Sequence, residues 1–165
     1  MIESDKSKWE FRTEEIANLL NPAFCCLLVQ DVVVAYSKEN ENSIPFSLIY
    51  FILPIVLHKE TRESLPVKKT TSMHSWISNK QHLKIGFSER IINLKTITNE
   101  AIFFGCQNNV LTFDDNGIAS KKQIKKSSWK KETETYQCRK KATFLGKWFA
   151  LNDETSIYLS WGVIP

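Results

Sequence analysis

The sequence predicts a mainly α-helical domain of the α+β class that carries one β-hairpin. Only five glycines and five prolines occur among 165 residues, which favours helices over a loop-rich sandwich. Apolar residues recur at helical spacing along most of the chain. The exception is residues 110–120, where two β-prone runs flank an Asn-Gly turn, a strong hairpin signal. A winged-helix arrangement, with the hairpin as the wing, is one architecture that fits this order.

The length of the chain fits one domain, because a chain of this size buries about 70% of its unfolded surface without disulfides or metals. Residues 1–165 are therefore expected to form a single domain, with residues 1–11 as a flexible N-terminal tail. The most apolar stretch has 15 residues, at 43–57, and falls short of the roughly 20 that a membrane span requires. Since the N-terminus resembles no signal peptide, a cytoplasmic protein with reduced cysteines is predicted.

Capping residues and apolar spacing place the helices. They are predicted at residues 13–20, 22–37, 45–53, 72–77, 83–104 (as one helix or two), 132–151 and 153–162. The firmest start is Asn21-Pro22, where a capping asparagine precedes a proline at the first helical position. Pro54 is expected to end or kink the third of these helices. Residues 58–66 are interpreted as a polar turn that leads into a loop.

Basic residues are concentrated in one part of the chain. Residues 121–141 hold nine Lys or Arg and two Glu, a net charge of +7, whereas the whole chain carries +4. Such a segment either binds nucleic acid or an acidic partner, or forms a solvated surface. Lysine predominates, so any nucleic-acid contact is expected to be independent of base sequence. The candidate phosphate contacts lie in the lysine tract, residues 121–131, and are Lys121, Lys122, Lys125, Lys126, Lys130 and Lys131.

Residue patterns typical of enzymes and metal sites are weak in this sequence. The three histidines lie far from the cysteines, and there is neither a glycine-rich phosphate loop nor a Gly-x-Ser-x-Gly elbow. Asp114 and Asp115 are interpreted as turn residues rather than metal ligands. Residues 58–66 combine acid, base and hydroxyl groups, so a small hydrolase that uses His58 or His74 is a minor alternative. The sequence therefore predicts no catalytic residue, no cofactor and no metal.

Two apolar helices, at residues 22–36 and 45–57, carry more hydrophobic surface than a domain of this size readily encloses. A contiguous exposed apolar patch usually marks an interaction site, although large apolar residues are most often buried within their own domain. Selected residues of these helices are therefore expected to form either the central core, which is favoured, or the floor of a subunit contact. They are Phe24, Leu28, Phe46, Tyr50 and Phe51.

Several strings of this sequence resemble one protein family. They are RTEEIANLLNPAFCCLLV, PFSLIYFILPIVLHKETRESLP, SMHSW, IGFSERI, EAIFFGCQNNVL, KATFLGKWFA and IYLSWGVIP. Together they span residues 12–165 and are similar to the middle component of bacterial three-component ABC systems. That family includes the small third subunit of Lamassu-type antiphage defence. Such a protein is encoded between an effector and an SMC/Rad50-like ABC ATPase.

The resemblance implies a non-enzymatic accessory subunit. Such a subunit would bridge the ATPase heads, as kleisins or their winged-helix partners do in SMC complexes, and would help to keep a nuclease-type effector inactive. Double-stranded DNA would be contacted through the complex. No catalytic residues are attributed to this family, so none are carried over. The lysine tract does not match the family pattern, and the alternative is a stand-alone winged-helix-type nucleic-acid-binding protein that uses residues 110–131.

Overall fold

The computed structural model describes residues 20–122 and 130–164. Over these ranges seven α-helices and one antiparallel hairpin surround one hydrophobic core, which confirms the predicted fold class. The helices are α1 (Pro22–Asn40), α2 (Ile49–Val56), α3 (Lys59–Ser64), α4 (Met73–Ser78), α5 (Phe87–Gln107), α6 (Glu134–Ala150) and α7 (Glu154–Trp161), and the strands are β1 (Leu111–Asp114) and β2 (Gly117–Ser120). The expected tail and, apart from Leu20, the helix expected at 13–20 lie outside the described residues.

Helix α1 begins where the sequence predicts and forms the centre of the domain. The Asn21 side chain accepts a hydrogen bond from the backbone N–H of Ala23 at 2.8 Å and from that of Phe24 at 3.4 Å. Ten of its 19 residues are buried, as expected for a helix that is apolar on nearly every side. It packs against α5 and α6, so the other long helices are positioned by it.

Helix α2 departs from the sequence prediction at Pro54. It follows a 3₁₀ turn at Phe46–Leu48 and continues through Pro54 to Val56, so the expected end at Leu53 is wrong. Every residue of α2 except Tyr50 is buried. Burial of large side chains, worth roughly 1.5–3 kcal/mol each, outweighs the roughly 3 kcal/mol that a proline costs inside a helix.

The interpretation of residues 58–66 as a polar turn is also wrong, because residues Lys59–Ser64 form helix α3. His58 caps this helix: its Nδ1 accepts a hydrogen bond from the Thr61 backbone N–H at 3.3 Å and lies 2.8 Å from Thr61 Oγ1. Histidine is not among the usual capping residues. The start of α3 therefore gave no signal that sequence rules recognise.

The hairpin is fastened to the segment that precedes α2. The Ile44 N–H donates to the Ile118 carbonyl at 3.2 Å, and the Ile118 N–H donates to the Ile44 carbonyl at 2.9 Å. Gly117 lies beside this contact with a φ of 146°, and a Cβ there would sit 2.0 Å from the Ile44 carbonyl oxygen. Glycine is thus required for the close approach, which fastens β2 of the hairpin to the chain just before α2.

Three tryptophans, Trp76, Trp148 and Trp161, lie together in the core. The Trp76 ring centroid is 5.2 Å from that of Trp148 and 5.9 Å from that of Trp161. Trp148 Nε1 donates to the Thr71 carbonyl at 2.8 Å. This cluster joins α4, α6 and α7. Among the described residues, none of the helices is both long and apolar enough to cross a membrane.

Candidate interaction surfaces

The polar residues of α3 join three helices rather than forming an open site. Arg62 is 3% exposed, and its Nη1 donates to the Val56 carbonyl at 2.8 Å while its Nη2 donates to Glu134 Oε1 at 2.8 Å. The Val56 carbonyl lies at the end of α2, where carbonyls have no partner within their own helix. Arg62 supplies the missing hydrogen bond. The same side chain ties α3 to the first turn of α6. This arrangement gives the arginine a packing role.

The histidines and acids of this region are dispersed. Burial, followed by the positive charge of Arg90, lowers the pKa of His58, which keeps its Nδ1 available as the acceptor that caps α3. His82 Nε2 lies 3.4 Å from Glu60 Oε1 at the surface, and His74 is exposed in α4. Within residues 20–122 and 130–164, no three His, Cys, Asp or Glu side chains are grouped so that they could hold a metal ion.

The Asp114 side chain is occupied by the hairpin turn. Its Oδ1 accepts hydrogen bonds from the backbone N–H groups of Asn116 at 2.9 Å and Gly117 at 3.0 Å. Its Oδ2 accepts a hydrogen bond from the Ser43 hydroxyl. Local bonding of this kind is the reason that aspartate is common in turns. Asp115 is exposed beside it.

The five apolar residues singled out in the sequence are divided between the core and the surface. Leu28 and Phe51 are at most 1% exposed, whereas Phe46 is 42% exposed. Phe24 and Tyr50 are half-buried. The structure therefore brings only Phe46 and Tyr50 together at the surface of the start of α2.

Three aromatic residues, Phe46, Tyr50 and Phe113, form the aromatic patch. The Phe46 ring centroid lies 5.5 Å from that of Tyr50 and 5.7 Å from that of Phe113. Phe113, in β1, is 56% exposed. The Tyr50 hydroxyl donates to Asn99 Oδ1 of α5 at 2.8 Å, and Phe103, one turn further along that helix, is 63% exposed. Sequence reasoning missed both phenylalanines.

The hairpin pattern contains a signal for Phe113. Residues two apart in a strand face the same side, and Leu111 is 1% exposed whereas Phe113 is 56% exposed. The hairpin tip thus extends beyond the edge of the core. In the sequence, a large apolar residue close to an Asp-Asn-Gly turn indicates a residue exposed at such a tip. Phe103 gave no comparable signal, because it lies in a run of apolar residues at 101–104 that does not reveal which side is buried.

The described part of the lysine tract borders a groove of about 290 Å³ between α1 and β2. Lys121 and Lys122 line this groove together with Lys38 of α1. The backbone here is held by Gln30, whose Nε2 donates to the Lys122 carbonyl at 3.1 Å. Lys130 and Lys131 are exposed, whereas Lys125 and Lys126 lie outside the described residues.

Comparison with known proteins assigns a family to this fold. The family model described as ABC-three component (ABC-3C) system Middle Component 3 matches residues 9–165. No curated protein and no solved structure matches the chain. The family match covers the aromatic patch and the groove beside the lysine tract.

Proposed function

The chain belongs to the Middle Component 3 family of ABC-three component systems, and from this membership we propose that it joins an SMC/Rad50-like ABC ATPase to an effector in a Lamassu-type antiphage complex. In this role it is a non-enzymatic bridging subunit. It contacts the ATPase heads and helps to keep a nuclease-type effector inactive until the system is triggered.

The structural observation that supports a bridging role is the aromatic patch. Phe46 and Phe113 remain 42% and 56% exposed although many other apolar side chains are buried in one core. Aromatic residues are enriched at protein interfaces, because their large rigid surfaces contribute binding energy at a low entropic cost. The groove at the lysine tract is lined by Lys38, Lys121 and Lys122, so the domain offers an aromatic surface and a basic one, as a bridging subunit requires.

Assembly with the other two components tests the proposal directly. Co-expression of the three components is expected to yield a complex that survives size-exclusion chromatography. The nuclease activity of the effector is expected to be low in this complex and to rise when the middle component is left out. A middle component that elutes alone as a monomer, beside a separately eluting ATPase, would contradict the proposal.

A second candidate function, binding of duplex DNA, is favoured by the position of Lys38 beside Lys121 and Lys122 on one groove. If these lysines neutralise phosphates, the logarithm of the affinity falls by about 0.9 per contact for each unit of log salt concentration. Replacement of Lys121 and Lys122 by alanine is therefore expected to reduce the slope of log affinity against log salt concentration by about 1.8. Fluorescence anisotropy with a labelled duplex measures this slope.

The control for the DNA experiment changes the same amount of charge elsewhere. Lys68 and Lys95 are exposed and lie outside the groove lining, so their replacement by alanine is expected to leave the salt dependence close to that of the wild type. An affinity that does not respond to salt, or no binding even at low salt, would eliminate this function.

A further inference from the structure

Carboxylates border the aromatic patch on two sides. The Ser43 hydroxyl donates to Asp114 of the hairpin turn, and the Ser47 hydroxyl donates to Glu154 of the first turn of α7. Both serines flank Phe46 within three residues along the chain. These two hydrogen bonds therefore place the hairpin turn and the start of α7 beside the exposed ring.

Three chain segments next to Phe46 and Phe113 together carry acidic residues and no basic ones. Residues 42–57, 111–120 and 151–162 contain no Lys or Arg, although the whole chain has a net charge of +4. Their acidic residues are all exposed. They are Asp114, Asp115, Asp153 and Glu154. Within these three segments the charged groups beside the aromatic patch are therefore carboxylates, whereas α5 carries the exposed Lys95 one turn before Asn99.

Two of these carboxylates are held in the ionised form. The hydrogen bond from Ser43, reinforced by backbone N–H groups of the turn, lowers the pKa of Asp114. The hydrogen bond from the Ser156 side chain lowers the pKa of Asp153, the residue that caps α7. Both groups thus carry their negative charge throughout the neutral pH range.

The apolar surface continues from the aromatic patch onto α5. Tyr50 connects the patch to α5 through its hydrogen bond to Asn99, and Phe103 continues the apolar surface one turn further along the same helix. Aromatic rings with ionised carboxylates around them suit a guanidinium or ammonium group, which stacks on a ring face and pairs with a carboxylate. A purely apolar partner would strip water from the carboxylates without compensation.

We propose that the aromatic patch docks a cationic segment of another component of the ABC system, with an Arg or Lys side chain of that segment stacked on Phe46 or Phe113 and paired with the surrounding carboxylates. This inference rests on the proposed function and adds the chemistry of the partner. The patch is then one of the protein-binding surfaces that a bridging subunit requires.

Site-specific cross-linking in the reconstituted complex tests the chemistry of the occupant. A photoreactive benzoylphenylalanine in place of Phe46 preserves the aromatic character of the site. It is expected to cross-link to the ATPase or effector component at a segment with an Arg or Lys within about one helical turn, identified by mass spectrometry. The same group at Val67, which is 96% exposed between α3 and α4, is the control and is expected to give no such product.

Charge reversal tests the contribution of the carboxylates. Exchange of Asp115 and Glu154 for lysine is expected to weaken binding to the cross-linked component about tenfold or more at low salt, since like charges across an interface are strongly unfavourable. The loss is expected to diminish as salt is added. The matched variant exchanges Glu63 and Glu89 for lysine, because both are exposed and Glu89, like Glu154, lies in the first turn of a helix.

The outcomes separate this inference from the proposed function. If the wild-type chain does not assemble with either component, both fail. If the complex forms but position 46 gives no cross-link, or cross-links to a segment without Arg or Lys, the docking proposal alone is overturned. It is also overturned if the two charge-reversed variants bind equally well while circular dichroism shows that both are folded.

Discussion

Arg139→Ala is expected to destabilise the isolated chain by about 3–5 kcal/mol, because it leaves a buried carboxylate without its charged partner. Arg139 Nε and Nη2 donate to the two carboxylate oxygens of Asp31 at 2.8 Å and 3.0 Å. The side chains of the two residues are 14% and 6% exposed, respectively. The pair lies where α1 packs against α6, the most extensive helix contact in the domain. Urea unfolding followed by circular dichroism measures the loss.

The loss of stability in the Arg139→Ala variant is expected to be smaller at low pH than at neutral pH. Burial raises the pKa of Asp31 above its usual 3.8, while the hydrogen bond and the charge of Arg139 oppose this rise. Without the guanidinium the pKa of Asp31 in the folded variant rises further. The folded variant then takes up a proton at a higher pH than the unfolded chain does. The difference in unfolding free energy between the variant and the wild type therefore shrinks as the pH falls toward 3.8. A deficit that is equal at pH 7 and pH 4 would contradict this account.

Two further variants separate the charge from the geometry of this pair. Arg139→Lys retains the positive charge but cannot bond both oxygens in parallel, so an intermediate loss is expected. Simultaneous replacement of Asp31 and Arg139 by alanine is expected to cost less than the two single replacements together, because neither charge is then left buried alone. Strict additivity would show that the two side chains contribute independently.

Features that depend on neighbouring residues were predictable from the sequence. The Ser72 side chain accepts a hydrogen bond from the Ser75 N–H at the start of α4, and the Asp153 side chain accepts one from the Ser156 N–H at the start of α7. Gly162 ends α7 with a φ of 69°, as a glycine after the last helical residue commonly does. In each case the side chain and its partner lie within a few residues, so the sequence contains all that determines them.

Features that depend on distant contacts were not predictable. Helix α3 is stabilised through Arg62, whose partners include Glu134, 72 residues away. Phe46 and Phe51 lie in one uncharged run, yet one is 42% exposed and the other 1%. A segment that is apolar on all sides has no periodicity to indicate its buried face. The aromatic patch is therefore determined by the packing of α2 and the hairpin.

Gly146→Ala is expected to destabilise the chain by about 1–3 kcal/mol, although alanine is favoured over glycine inside a helix by about 1 kcal/mol. Gly146 lies in the interior of α6. A Cβ at this position would sit 2.3 Å from the Val32 carbonyl oxygen of α1 and 2.9 Å from the Ala35 Cβ. The first of these atoms belongs to backbone, which cannot move away as the end of a side chain can. The two helices would have to separate, and the core packing around the fully buried Trp148 would loosen.

Gly105→Ala is the matched control for this prediction. Gly105 also lies inside a long helix, α5, so the same gain in helix propensity applies. There the nearest atoms to a new Cβ are Leu111 Cδ1 at 2.7 Å, Leu111 Cγ at 2.8 Å and Cys26 Sγ at 2.9 Å, and all three belong to side chains, which can shift more readily than backbone. The loss is therefore expected to be smaller at Gly105 than at Gly146, in a comparison of thermal midpoints in which 1 kcal/mol corresponds to about 2–4 °C. Equal midpoints for the two variants would show that α1 and α6 tolerate a wider separation, and that contact with the Val32 carbonyl does not set the distance between them.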